Sequence, residues 1–214
     1  MKEYPILFSG PMVRAILDGN KTKTRRVIKP QPAPLSHSYV DRFERFDETR
    51  WMPTSPSGKV MVFEPGIYRC PYGQAGDHLW VKETWRAEEL SDESHDPGLD
   101  GIRYRADDTF VSIENTCEAS DRWCEVYKPG EKWHPSIFMP RWASRITLEV
   151  LDVRVEQVQN ISEADCYAEG LGMDPNLPHP RAWFRVLWDS INAKRGYSWD
   201  VNPWVWVVEF GGIV

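Results

Sequence analysis

The chain has 214 residues and a formal charge of −6, with 26 Lys and Arg against 32 Asp and Glu. Its hydrophobic share of 41% supports a folded core and excludes a wholly disordered chain. No apolar run reaches the roughly 20 residues of a membrane helix, and Met1–Pro5 are not followed by the apolar stretch of a secretory signal. We therefore expect one domain over residues 1–214, located in the cytoplasm and with no membrane partner.

The spacing of cysteines and histidines predicts neither a metal site nor disulfides. The four cysteines form no CxxC pair and the five histidines form no i, i+4 pair, the spacings typical of zinc sites. Without a secretory signal, free thiols are expected. No cofactor is predicted either. The chain also contains neither a glycine-rich phosphate loop nor a nucleophile elbow around a serine.

The chain begins with a predicted strand and a short buried helix. Tyr4–Phe8 is typical of a strand, and Ser9–Pro11 is typical of a helix start because proline suits the first turn. Gly19 is expected to end the helix in the left-handed conformation. The predicted buried face of the helix is formed by Met12, Val13, Ile16 and Leu17.

A basic stripe follows this helix directly. Residues 20–30 hold five cations and no acid, a local charge of +5 in an acidic chain. The segment 86–125 has the opposite character, with four Arg against twelve Asp and Glu. The stripe is therefore either a focused anion site or a solvated loop that faces this acidic segment. Its cations are Lys21, Lys23, Arg25, Arg26 and Lys29.

Two long excursions occupy the middle of the chain. Prolines break the pattern over residues 30–75, where we predict one hairpin that pairs Lys59–Phe63 with Ile67–Cys70. The acidic excursion over residues 86–135 is rich in turns and holds one predicted strand, Ile102–Tyr104. Both excursions are interpreted as insertions into a smaller fold.

Sequence patterns in the C-terminal third of the chain predict two strands and two helices. Apolar residues alternate in Arg145–Val155, with a shift of frame near Leu151 that indicates a bulge. A capping box opens a short helix within Ser162–Gly170 and a glycine ends it, whereas residues 184–191 carry the apolar stripe of a longer helix. Trp204–Phe210 is typical of a strand. These elements predict an α+β fold, a small mixed β-barrel with short flanking helices and two long insertions.

Residues 16–26, ILDGNKTKTRR, resemble the signature of the ASCH family, a group of β-barrel proteins similar to PUA domains. The family's hallmark is a Gly-x-Lys-x-x-Thr-x-Arg run after a short helix. Three later segments resemble the family in the same order, namely a Gly-Asp strand at 76–81, a short helix at 162–170 and a closing strand at 207–210. The resemblance covers about half of the chain, and the phrases KTKTRRVIKPQP, GDHLWVKETW and NPWVWVVEF are similar to ASCH proteins carried by phages and prophages. The residues that match the hallmark are Gly19, Lys21, Thr24 and Arg26.

The resemblance implies binding of RNA or of a nucleotide, by analogy with PUA domains. Some small ASCH proteins hydrolyse an amide on acetylated cytidine, and others are linked to RNA cleavage. In the amidohydrolase members a Lys, a Thr and a Glu carry the chemistry, and these fall on Lys21, Thr24 and Glu169 of this chain.

The residue types of this trio suit hydrolysis. A threonine hydroxyl needs a base, and a lysine becomes one when burial or neighbouring cations lower its pKa. Glu169 can orient that lysine or return a proton to a leaving group. In an extended strand, however, Lys21 and Thr24 point to opposite faces, so they meet only if the chain turns between them. The alternative is structural, with Thr24 as a strand residue, Glu169 as the end of a helix and Lys21 in solvent.

A second set of residues is predicted to bind a nucleotide or its phosphate. Arginine is suited to phosphate and tryptophan to a base, although paired arginines and buried tryptophans are common without any ligand. The predicted set is Arg25, Arg26, Arg141, Arg145, Trp80 and Glu83.

Three functions therefore compete. The first is a module that binds RNA, DNA or a modified nucleoside in a basic cleft. The second is a hydrolase, either an amidohydrolase or a ribonuclease, that uses Lys21, Thr24 and Glu169. The third is a non-enzymatic phage interaction or assembly protein that contacts a protein partner through its acidic insertion; such a protein, if encoded by a phage, would act in the host cytoplasm.

Overall fold

A computed structural model describes residues 1–34, 40–55, 63–64, 66–90, 99–128, 130, 132–172 and 179–213. In chain order the elements are β1 (Glu3–Leu7), α1 (Gly10–Leu17), β2 (Lys23–Val27), β3 (Ala33–Pro34), β4 (Arg42–Arg45), β5 (Arg50–Thr54), β6 (Phe63–Glu64), β7 (Tyr68–Arg69), β8 (His78–Lys82), β9 (Trp85–Leu90), β10 (Leu99–Tyr104), β11 (Phe110–Ser112), α2 (Cys117–Val126), β12 (Thr147–Gln157), α3 (Glu163–Ala168), α4 (Pro180–Asn192) and β13 (Trp204–Ile213).

The main sheet has five strands in the order β1-β8-β12-β13-β2. β1 is parallel to β8, and the other pairs are antiparallel. β2 lies at one edge and pairs with β13. The mixed α+β class is confirmed, but the predicted barrel is not, because none of the sheets in the described ranges closes on itself.

Hydrophobic side chains cover both faces of the strand β13. Trp206, Val208 and Phe210 pack into one core with β1, β8 and β12, whereas Val205 and Val207 pack into a second core with α3 and α4. Because successive residues of a strand point to opposite faces, a strand covered on both sides is apolar throughout. This is why the sequence WVWVV forms an interior strand of the sheet rather than an edge.

The predicted hairpin in the first excursion is wrong where the structure describes it. Phe63–Glu64 pairs with Ala33–Pro34, and Tyr68–Arg69 pairs with β5; residues 59–62 of the predicted hairpin lie outside the described ranges. The reason is tertiary. Tyr68 is buried, and its ring lies 5.3 Å from that of Phe43, so burial of an aromatic side chain determines the strand's partner.

The second excursion has a core of its own. β9, β10 and β11 form an antiparallel sheet, and the predicted strand Ile102–Tyr104 is confirmed within β10. α2 packs on this sheet through Trp123, whose Nε1 donates a 2.9 Å hydrogen bond to the carbonyl of Gly101. Carboxylates of this acidic segment pair with arginines, as Glu88 does with Arg103 at 2.6 Å, so part of its charge is neutralised within the segment.

Several local predictions are confirmed. Gly19 ends α1 with φ of +73°, and the Ser162 hydroxyl accepts from the Asp165 amide at the start of α3. β12 shifts register between Leu148 and Asp152, as the frame change indicated. None of the helices in the described part of the chain combines the length and apolar content that crossing a membrane requires.

Candidate functional site

A cavity of about 640 Å³ lies between the edge strand β2 and helix α4. Its walls come from six parts of the chain: residues 7–12, residues 21–29, residues 67–72, Glu169, residues 184–197 and Trp206. Its volume lies in the range of about 300–1,000 Å³ that is common for small-molecule sites. The cavity therefore brings the basic stripe together with segments from distant parts of the chain.

Lys21 is buried in the wall of this cavity, with only 1% of its side chain exposed. Its Nζ donates to the Glu169 carboxylate at 2.9 Å, to the Glu169 carbonyl at 2.8 Å and to the Lys23 carbonyl at 2.7 Å. All three N–H groups of the ammonium are thus used. Burial lowers the pKa of Lys21, and the attraction of Glu169 opposes this shift without cancelling it.

Glu169 reaches Lys21 because the ends of α1 and α3 meet. The amide of Thr22 donates to the carbonyl of Ala168, and Lys21 and Glu169 form an isolated antiparallel bridge. Gly170 has φ of +99°, and a Cβ there would lie 3.1 Å from the Cβ of Ala15. Glycine suits this backbone conformation, which residues with a Cβ rarely adopt, and a Cβ would also have to displace the Ala15 side chain slightly.

Arg25 lies behind this pair and is fully enclosed, with 0% of its side chain exposed. It donates to Glu156 at 2.6 Å, to Asp165 at 2.6 Å and to Glu169 at 3.2 Å. Three carboxylates occupy its donors, so Arg25 is not available to bind a phosphate in this arrangement. Its observed contacts place it instead as the group that holds Glu169 in position.

These contacts belong to a larger network in which the charges balance. Asp165 accepts from Arg25, from Lys23 at 2.9 Å and from Arg154 at 2.8 Å. Burial acts to raise the pKa of Asp165, but the hydrogen bonds from Lys23 and Arg25 outweigh it and lower the pKa. Four cations and four carboxylates make up the network: Lys21, Lys23, Arg25, Arg154, Glu156, Asp165, Glu169 and Glu209.

The variant Asp165→Asn is expected to lose stability in a pH-dependent way. Because the pKa is lowered in the folded state, the carboxylate's contribution is fully present above the ordinary value of 3.8 and is lost as the pH falls through the folded-state value. The gap in unfolding free energy between wild type and variant should therefore narrow below about pH 4. Urea unfolding at a series of pH values measures this gap. The control is Glu163→Gln, which replaces an exposed carboxylate. A gap that stays constant on acidification would contradict this role of Asp165.

Thr24 lines the same cavity as Lys21, although the two would diverge in a continuous strand. β2 begins only at Lys23, and the Nζ of Lys21, just before the strand, donates to the Lys23 carbonyl, so both side chains reach the cavity without a hydrogen bond between them in the described ranges. Thr24 is 4% exposed, and its hydroxyl has no hydrogen-bond partner among the residues described. The hydroxyl is thus free to contact a ligand.

Arg26 forms no ion pair with a carboxylate within the described ranges, although the negative charge of Glu169 acts on it. Its Nη2 donates to the carbonyl of Leu7 at 2.7 Å, and its guanidinium lies 5.1 Å from the centre of the Phe8 ring. Its Nε has no hydrogen-bond partner in the same part of the chain. Burial lowers the pKa of Arg26. Unlike Arg25, it keeps donors available for a ligand.

Sequence reasoning missed the far wall of the cavity. Tyr72 and Tyr197 line it with half-buried rings, and Arg69 and Arg195 line it with exposed side chains that form no ion pair in the described part of the chain. Tyr68 adds a buried hydroxyl without a partner there. One sequence feature could have indicated this wall: the segment SINAKRGY at 190–197 has two cations, a tyrosine and no acid.

Four of the predicted ligand-binding residues lie away from the cavity. Arg141 pairs with Glu3 at 2.8 Å and lies 6.0 Å from the Trp80 ring. Arg145 pairs with the buried Glu83 at 2.9 Å, and also with Asp107. The structure thus brings together Lys21, Thr24, Arg25, Arg26 and Glu169, but not Trp80, Glu83, Arg141 or Arg145.

The described residues contain no group of three or more His, Cys, Asp or Glu side chains arranged to hold a metal ion. Comparison of the chain with protein-family models, with curated proteins and with solved structures finds no match in any of the three. Membership of the ASCH family therefore stays a prediction based on the four sequence segments.

Proposed function

We propose that the protein binds a nucleotide-class ligand, either a modified nucleoside or a nucleotide of RNA or DNA, in the cavity beside β2. One observation carries this proposal: cations without a carboxylate partner in the described ranges and half-buried tyrosine rings line the same cavity. Aromatic faces stack on nucleobases, and guanidinium groups bind phosphates. A basic cavity on a chain of net charge −6 also favours a localised anion site over general coating of nucleic acid.

The volume of the cavity restricts how a nucleic acid would enter it. About 640 Å³ accommodates one base with its sugar and not a double helix. A longer strand therefore contacts the cavity by inserting a single unstacked nucleotide, as enzymes that act on bases require. A free nucleoside or nucleotide enters without that cost.

The variant Tyr72→Ala is expected to weaken ligand binding by about 5- to 150-fold, because stacking of one base on an aromatic ring contributes about 1–3 kcal/mol. Isothermal titration with the common ribonucleosides, N4-acetylcytidine and their monophosphates measures the effect. Tyr127→Ala is the matched control, since Tyr127 stacks on Trp123 in the second excursion and does not line the cavity. Equal loss in both variants, or binding by neither wild type nor variants, would refute the proposal.

A second candidate is hydrolysis in the same cavity, and it is favoured because an unpartnered Thr24 hydroxyl, within the described ranges, and a buried Lys21 line that cavity together. In this mechanism Thr24 attacks the carbonyl carbon of an amide while Lys21 accepts the hydroxyl proton. Lys21 uses all three N–H groups in the observed state, so it must first release a proton along its 2.9 Å hydrogen bond to Glu169. Glu169 then holds a proton that can pass to the leaving amine, which leaves the acyl group as an ester on Thr24. Water must then hydrolyse this ester, which releases the carboxylate product and restores the Thr24 hydroxyl.

The direct test of hydrolysis is release of acetate from N4-acetylcytidine. The wild-type protein should release acetate and cytidine in equal amounts, because breaking the amide gives one of each. Chromatography of the reaction mixture measures both products. If no acetate forms while the nucleoside still binds, this candidate is excluded for that substrate and the binding function stands.

A further inference from the structure

The cations of the cavity fall into two groups that differ in what they can bind. Lys21 and Arg25 donate to carboxylates and backbone carbonyls, so their donors are occupied. Arg26 and Arg195 form no ion pair with a carboxylate among the described residues, and the same holds for Lys29 and Arg69 at the cavity wall. Any negative charge on a ligand must therefore be met by the second group rather than by Lys21 and Arg25.

Two guanidinium groups that lack carboxylate partners in the described ranges repel each other across one cavity. Both line the cavity, and they are close enough for the charge of Arg195 to act on Arg26. Arg26 is shielded from much of the water that would screen this repulsion, whereas Arg195 is exposed. Glu169, which lines the cavity with them, is already bound to Lys21 and Arg25. An anion placed between the two arginines would relieve this repulsion, and the planar donor fork of arginine suits phosphate oxygens.

The aromatic rings place the rest of the ligand next to this pair. Tyr197 is two residues from Arg195, and the centre of its ring lies 5.4 Å from the Nζ of Lys29. Tyr72, which lines the same cavity, is close enough to act on the charge of Arg26. A base that contacts either ring would therefore have one of the two arginines nearby to meet its own 5′-phosphate.

We propose that the ligand is a nucleoside 5′-phosphate, with its phosphate bound between Arg26 and Arg195 and its base against Tyr72 or Tyr197. This inference rests on the proposed function and specifies its ligand class. It assigns a binding role to Arg195, which lies in the stretch between α4 and β13. Arg195 is exposed where it lines the cavity, so it contacts the phosphate at the opening.

Isothermal titration of the full chain tests this inference. The probes are the four common ribonucleosides and N4-acetylcytidine, each with its 5′-monophosphate, and inorganic phosphate alone. A charged hydrogen bond contributes about 1.5–3 kcal/mol, so the monophosphate should bind about tenfold or more tightly than its nucleoside. Arg195→Ala should remove this advantage and leave nucleoside affinity unchanged, whereas Lys194→Ala should not, because Lys194 is an exposed neighbour of equal charge outside the cavity.

Three other outcomes would overturn the inference, and each has a different consequence for the proposed function. If nucleoside and monophosphate bind equally, the phosphate role fails and the proposed function stands. If inorganic phosphate binds as tightly as the monophosphates and no nucleoside binds, the site is a plain anion site and both proposals fail. If Arg195→Ala and Lys194→Ala weaken the monophosphate equally, the effect is one of overall charge and the assignment of Arg195 is wrong.

Discussion

Replacement of Arg25 by methionine is expected to lower the free energy of unfolding by about 3–5 kcal/mol, because it leaves buried carboxylates without their central partner. Arg25 contacts Glu156, Asp165 and Glu169, and none of its side chain is exposed. Urea unfolding followed by tryptophan fluorescence measures the change. The effect should be among the largest for any single polar substitution in the chain.

Arg185→Met is the matched control for Arg25→Met. Arg185 pairs at 3.1 Å with Asp200, whose side chain is 73% exposed, and such surface pairs contribute only about 0–1 kcal/mol. If Arg25→Met does not fold, Arg25→Lys keeps the charge and should show a smaller loss. A loss below about 1 kcal/mol in Arg25→Met would contradict a stabilising role for Arg25 at the centre of the network.

If the cavity hydrolyses amides as in the second candidate function, Thr24→Val is expected to reduce turnover by about 10³-fold or more, because it removes the proposed attacking oxygen and keeps the shape of the side chain. Binding of N4-acetylcytidine should change little, since valine fills the same volume. Acetate release under saturating substrate measures turnover, and titration measures affinity. Thr22→Val is the control, because Thr22 is exposed and lies two residues away in the chain.

The two measurements on Thr24→Val separate chemistry from folding. Retained binding with lost turnover supports Thr24 as the nucleophile. Full turnover in Thr24→Val would remove the nucleophile assignment and leave water, activated by Lys21 and Glu169, as the attacking group. Turnover lost equally in Thr22→Val would point to a disturbed β2 rather than to a missing hydroxyl.

Local signals in the sequence predicted local structure well. The stop at Gly19, the cap at Ser162 and the alternation in Arg145–Val155 each depend on neighbouring residues, and the structure contains all three. The hairpin in the first excursion depended on turn residues alone, and it failed because Tyr68 is buried against distant aromatic side chains. Short strands between prolines carry too few residues for periodicity to determine their partners.

The site was predictable only in part, because its side chains are brought together by contacts between residues that are far apart in the sequence. The trio Lys21, Thr24 and Glu169 was placed by family resemblance, and no spacing rule relates residues 148 positions apart. Arg25 and Arg26 are adjacent and of the same residue type. Arg25 nevertheless pairs with three carboxylates, whereas Arg26 pairs with none in the described ranges. Successive side chains of a strand point to opposite faces, so Arg25 and Arg26 contact different groups. The charged groups on each face come from distant parts of the chain.

The position of β2 at the sheet edge has a consequence for the timing of folding. β13 is the strand that joins β2 to the main sheet, with Trp206 opposite Arg26 and the Phe210 amide bonded to the Thr22 carbonyl. A nascent chain therefore cannot complete the pocket wall before residues 204–210 have left the ribosome. A ligand would therefore find no complete pocket on a growing polypeptide until residues 204–210 have emerged and paired with β2.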